Sequence, residues 1–109
     1  MTRKTAVAFF VAAAVSMPAV LADAETIKIE VKTLAFSPAK VTAHVGDTIE
    51  WANADFIAHT ATARNQEWDV ALPPNKTARL TLKKPGTVEY FCRFHPNMTG
   101  TVSVEQKQQ

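Results

Sequence analysis

Cys92, His95 and Met98 stand three residues apart in the stretch Tyr90-Phe91-Cys92-Arg93-Phe94-His95-Pro96-Asn97-Met98-Thr99-Gly100. A thiolate, an imidazole and a thioether on one short, proline-containing loop are the donor types that suit copper. Soft sulfur stabilises Cu(I), imidazole serves both oxidation states, and one cysteine with two histidines and a weak axial methionine makes a redox-active set for that metal. The loop supplies three of those four donors, so a second histidine must arrive from elsewhere in the chain.

Other chemistries use parts of the same loop less well. A nucleophilic Cys92 assisted by His95 lacks an orienting acid and an evident oxyanion partner, and it leaves Met98 without a role, so no enzyme is expected. Structural zinc favours four Cys or His ligands, and one cysteine with two histidines does not close such a site. Copper held for delivery or sequestration uses the same donors as copper held for electron transfer, and the residues alone do not separate the two.

The second histidine is His44 or His59, since His95 completes the count of three. His44 falls on the polar phase of the run Val41, Ala43, Val45, which makes it a solvent-facing side chain. His59 follows Phe56-Ile57-Ala58 after a break at Asn53 to Asp55, where an imidazole among apolar neighbours needs a partner. That points to His59 as the ligand.

Positioning these donors requires a frame, and the chain reads as strands. Glu25 to Lys32 alternates apolar and polar residues with period two, as do Val41 to Val45, Thr48 to Trp51 and Thr77 to Leu82. Thr87 to Cys92 and Gly100 to Glu105 flank the ligand loop as two further strands, and Phe56 to Thr62 reads as a strand or an extended loop. Turns are marked at Ser37-Pro38, Gly46-Asp47, Pro73-Pro74-Asn75 and Lys84-Pro85-Gly86. Residues 25–105 carry no amphipathic helix of useful length. Short strands at regular spacing with Gly and Pro turns predict an all-β fold, a Greek-key β-sandwich.

The first 24 residues stand apart from this pattern. Arg3 and Lys4, the apolar run Ala6 to Val15 and the small residues Ala22-Asp23-Ala24 have the form of a secretory signal peptide, residues 1–24, with residues 25–109 as one domain. The 12 basic and 10 acidic residues nearly balance. With Arg3, Lys4 and Asp23 assigned to the leader, the exported part is close to neutral. Its basic residues are scattered among acids, which excludes a nucleic-acid partner. Its one cysteine cannot form an internal disulfide, and a lone thiol in an oxidising compartment calls for protection or ligation.

Taken together, Trp51 and Asn53 ahead of His59, the run Gly86-Thr87-Val88-Glu89-Tyr90-Phe91-Cys92, then His95, Met98 and Gly100-Thr101-Val102 resemble the cupredoxins, small blue-copper electron carriers. The resemblance spans Glu25 to Glu105. Two residues between Cys92 and His95, two between His95 and Met98, and Pro96 after the histidine are similar to the amicyanin branch, whereas plastocyanins and pseudoazurins carry a longer gap before the methionine. The resemblance implies one type 1 copper per domain, with His59, Cys92 and His95 as strong equatorial ligands and Met98 as the weak axial one. It further implies a periplasmic monomer without stable membrane association, meeting transient redox partners such as a dehydrogenase donor and a cytochrome c acceptor. Phe94, Pro96, Phe56 and Pro73-Pro74 are then expected to form an apolar docking patch around His95. Thr60 stands where that branch usually has Asn tying the two ligand loops together, and Arg93 and Phe94 replace its usual Thr and Pro.

Overall fold

A computed structural model of the chain describes residues 23–107. The leader assigned to residues 1–24 lies outside the described residues, apart from Asp23 and Ala24.

Nine strands follow from the alternation. In β1 (Thr26–Lys32) Ile29 and Val31 turn inward while Lys28, Glu30 and Lys32 face water. A two-residue turn at Thr33 and Leu34, both at positive φ (52° and 58°), reverses the chain into β2 (Ala35–Ser37). A pair of residues in the left-handed region matches the twist of a hairpin. The order continues with β3 (Lys40–His44), β4 (Thr48–Asn53), β5 (His59–Ala63), β6 (Asp69–Leu72), β7 (Thr77–Thr81), β8 (Gly86–Cys92) and β9 (His95–Glu105). No helix occurs among the described residues.

The strands form two sheets, β2-β1-β4-β7 and β3-β9-β8-β5-β6. β1 runs parallel to β4 and β3 parallel to β9, while the remaining pairs are antiparallel. The chain crosses from one sheet to the other after β2, β3, β4, β6 and β7, giving the expected Greek-key β-sandwich.

Between the sheets lie Ile29, Val31, Ile49, Trp51, Leu72, Tyr90, Val102 and their neighbours. Trp51 and Tyr90 are the largest fully buried side chains, and the indole Nε1–H donates to the Tyr90 hydroxyl at 3.3 Å. The Phe36 ring meets Tyr90 edge-on at 4.7 Å. Gly100 lies opposite Tyr90 on β9, and a Cβ there would overlap the tyrosine ring, so the aromatic packing depends on a residue without a side chain. Burial pushes the Tyr90 phenol up to about 12, against a smaller opposing effect of the Trp51 hydrogen bond.

Four elements differ from the sequence expectation. β2 and β6 are too short and too polar at their ends to show a period. β5 starts at His59, not Phe56, because the loop ahead of it turns Phe56 and Ile57 out to solvent. The strand expected from Gly100 begins five residues earlier at His95, so the ligand loop is a hairpin with only Arg93 and Phe94 at its tip. Cys92 pairs with His95 and Phe91 with Thr99, which leaves Pro96, Asn97 and Met98 as a bulge on the β9 side. A bulge of this kind kinks the strand and redirects side chains, here carrying Met98 into the core.

Candidate metal centre

His59 opens β5, Cys92 closes β8 and His95 opens β9, and these ends of the three adjacent inner strands converge at one end of the second sheet. Cys92 Sγ lies 3.7 Å from His59 Nδ1 and 3.7 Å from His95 Nδ1. All three donor atoms fall within 4.8 Å of one another. The distances can be tested against a metal. Bonds of about 2.0 Å to nitrogen and about 2.3 Å to sulfur, opened at about 110–120°, set sulfur and nitrogen about 3.5–3.7 Å apart. The two sulfur–nitrogen separations fit a first-row ion held between Cys92 and each histidine, and the mixture of thiolate and imidazole fits copper.

His59 and Cys92 are buried, with 1% and 0% exposure, while His95 is partly open to solvent. Met98 is buried in the core cluster and lines a surface hollow together with Leu34, Phe94, His95, Pro96 and Asn97. The structure thus brings His59, Cys92 and His95 together and sets Met98 beside His95. His44 stands at the far end of β9, where its Nε2 meets Glu105 at 3.2 Å and its backbone N–H donates to Asp47 at 2.8 Å.

The surroundings of the thiol are hydrogen-bonded through Thr60. Its backbone N–H points at Cys92 Sγ at 3.4 Å, a contact that stabilises a thiolate. Its Oγ1 accepts the backbone N–H of Arg93 at 2.9 Å. Thr60 Oγ1 and Thr62 Oγ1 are 2.9 Å apart, and Thr62 donates to Asp69 Oδ1 at 2.7 Å. Since the Thr62 proton goes to the carboxylate, the Thr60 hydroxyl must be the donor to Thr62. Asp69 also receives the Arg93 guanidinium at 3.4 Å, so the circuit starts and ends on Arg93.

The loop ahead of His59 is organised by Asn53 and Asp55. The buried Asn53 amide points toward the carbonyls of Ile57 and Leu72, each at 3.0 Å, and its Oδ1 accepts the Asp55 N–H at 2.9 Å. Asp55 Oδ2 lies 2.8 Å from His59 Nε2, and Oδ1 accepts the Thr33 N–H at 2.9 Å. The Thr33 amide, followed by His59, holds the Asp55 carboxyl below its usual range.

Around this end the surface is apolar. The exposed large hydrophobic side chains among the described residues are Leu34, Phe56, Ile57 and Phe94, and each belongs to a loop beside the site. Pro73, Pro74 and Pro96 are exposed there too. Sequence reasoning did not single out Asp55, Thr62, Asp69, Leu34 or Ile57. Asp55 four residues before a histidine was the only hint, and in a loop that spacing implies no contact.

The chain matches the protein-family model described as the cupredoxin-like domain over residues 5–104. It is 29% identical over 90 residues to amicyanin-alpha of Methylorubrum extorquens, covering 77% of this chain and 76% of that protein. Among solved structures, amicyanin from Paracoccus versutus superimposes with a TM-score of 0.64 at 26% identity, covering 83% of this chain and 86% of that one. A purple cupredoxin from Nitrosopumilus maritimus gives a TM-score of 0.63 at 26% identity, covering 76% of this chain and all of that one.

Proposed function

This chain belongs to the cupredoxin-like domain family, and on that premise we propose that it is a periplasmic type 1 copper protein that carries single electrons between redox partners. The observation that carries the reading is the placement of Cys92 Sγ at 3.7 Å from the Nδ1 atoms of both His59 and His95, next to an apolar rim. His59, Cys92 and His95 would hold the copper as strong ligands and Met98 as the weak one. Copper bound there supplies a Cu(II)/Cu(I) couple.

The protein's part in that chemistry is rigidity and access. His59 is paired with Leu72 on β6 and Cys92 with His95 on β9, and the Thr60 circuit holds the hairpin tip, so the donors have little freedom to move when the charge of the site changes. Burial of Cys92 and His59 slows exchange of their ligand, which favours electron transfer over copper delivery. His95 is the donor open to solvent, so an electron leaves or enters by its edge. Leu34, Phe56, Ile57, Phe94 and the exposed prolines would make the surrounding contact surface. A near-neutral chain with such a rim suits brief encounters steered weakly by charge, as with a dehydrogenase donor and a cytochrome c acceptor.

Loading the protein with Cu(II) and recording its optical and electron spin resonance spectra tests the assignment. An intense visible thiolate-to-copper band and reversible one-electron reduction are expected. A colourless, weakly absorbing complex overturns the reading. Rapid loss of copper to a mild chelator combined with slow electron self-exchange would instead identify a delivery protein.

A further inference from the structure

We propose that Asp55 is a positioning residue for the copper site: its carboxylate holds His59 with Nε2 protonated and Nδ1 bare toward Cys92, and it lowers the potential of the bound copper. The inference rests on the electron-carrier reading above and adds a residue that the ligand loop does not contain.

The His59 side chain is wholly enclosed, so its Nε2 must find a partner inside the protein. Asp55 Oδ2 at 2.8 Å is that partner. An ionised carboxylate only accepts hydrogen bonds, so Nε2 is the donor and the proton is absent from Nδ1 in the neutral ring. The bare nitrogen is the one that faces Cys92 Sγ.

The carboxylate cannot swing away from this task. Its Oδ1 accepts the Thr33 N–H at 2.9 Å, Oδ2 takes a longer contact from the Leu34 N–H at 3.4 Å, and its own N–H is fixed by Asn53 at 2.9 Å. The Thr33–Leu34 turn, held at positive φ by two residues with side chains, is braced in return. Among the described residues no carboxylate lies against His95 in this way. The two imidazoles are therefore unequal: one is anchored by a negative charge and the other is free at the surface. A carboxylate that accepts the outer N–H of a ligating imidazole makes the ring a stronger donor, which favours Cu(II) over Cu(I).

Two measurements test this. Nitrogen-15 NMR of the metal-free protein reads the tautomer directly: a protonated Nε2 with slowed hydrogen exchange and a bare Nδ1 is expected for His59, and the reverse tautomer overturns the proposal. In the copper-loaded protein, Asp55→Asn preserves an acceptor for Nε2–H but removes the charge, and Asp55→Ala removes both. Each should lower the preference for Cu(II) over Cu(I) at least tenfold, a rise in potential of about 59 mV for one electron. Potentials unchanged in both variants overturn the proposal, since a purely structural role would leave the couple where it was. If neither variant takes up copper, the tautomer in the wild-type protein decides. A wild-type protein without the visible band would refute the carrier reading and leave the tautomer result to stand or fall separately.

Discussion

The hydroxyl of Thr60 accepts the backbone N–H of Arg93 at 2.9 Å, joining the strand that begins with His59 to the tip of the Cys92–His95 hairpin. A residue that departs from the usual Asn of the amicyanin branch thus still ties the two ligand-bearing segments together. It reaches less far than an amide, and Thr62 and Asp69 extend it to the Arg93 side chain.

Thr60→Val keeps the shape of the side chain and its N–H to sulfur but removes the acceptor of the part-buried Arg93 N–H. Loss of such a hydrogen bond costs about 0.5–1.5 kcal/mol. Denaturant unfolding of the metal-free variant should show a loss of that size, and Thr60→Ser should recover most of it.

Cys92→Ala should abolish the intense visible band on Cu(II) addition, because the band needs the thiolate. His44→Ala should leave it intact, since that ring sits with Glu105 and Asp47 at the other end of the sandwich. A band that persists without Cys92, or vanishes without His44, contradicts the ligand set.

Gly100→Ala places a methyl group into the Tyr90 ring. The ring is fully buried among Phe36, Trp51 and Trp68, so it has nowhere to retreat. Overpacking of this kind costs about 1–3 kcal/mol, readable as a fall in the thermal midpoint, and the near-ultraviolet dichroism of the aromatic cluster should change with it.

Alkaline stability should track Tyr90. The phenol ionises near its ordinary value of 10.0 in the unfolded chain and at about 12 in the folded one. The folded state therefore holds its proton longer, the contribution is whole below pH 10, and it is lost as pH rises toward 12. At 1.36 kcal/mol per unit the loss is roughly 3 kcal/mol across that window. Unfolding free energies measured from pH 9 to 12 should fall accordingly, and a Tyr90→Phe variant should lack this part of the fall.

Phe56→Ser should leave stability within about 0.5 kcal/mol, because the ring is 88% exposed and packs on little. It should slow the second-order reaction with a redox partner several-fold while leaving the copper potential unchanged. An unaltered rate constant would remove the Phe56 loop from the contact surface.

Much of the frame is legible along the chain because side-chain alternation is a local property. Ile27 to Lys32, Val41 to Val45 and Thr77 to Leu82 show their inward and outward faces without any knowledge of their neighbours, and the strands lie where the period puts them. β2 and β6 are not legible because three or four residues do not make a period. The early start of β9 is hidden for another reason: Pro96, Asn97 and Met98 belong to a bulge, whose register is set by Cys92 finding His95 across a two-residue tip.

The sequence by itself determined the donor types, their spacing on one short loop and the all-β frame, since these depend on residue identity and nearest neighbours. Only the tertiary structure decided which groups surround the donors. The β1–β2 turn holds the Asp55 carboxylate that meets His59, Thr60 reaches Arg93 across 33 positions, and Leu34 joins Phe56 and Phe94 on one rim. Such contacts arise when two sheets pack and carry strand ends from distant parts of the chain to one end, and no local pattern encodes them.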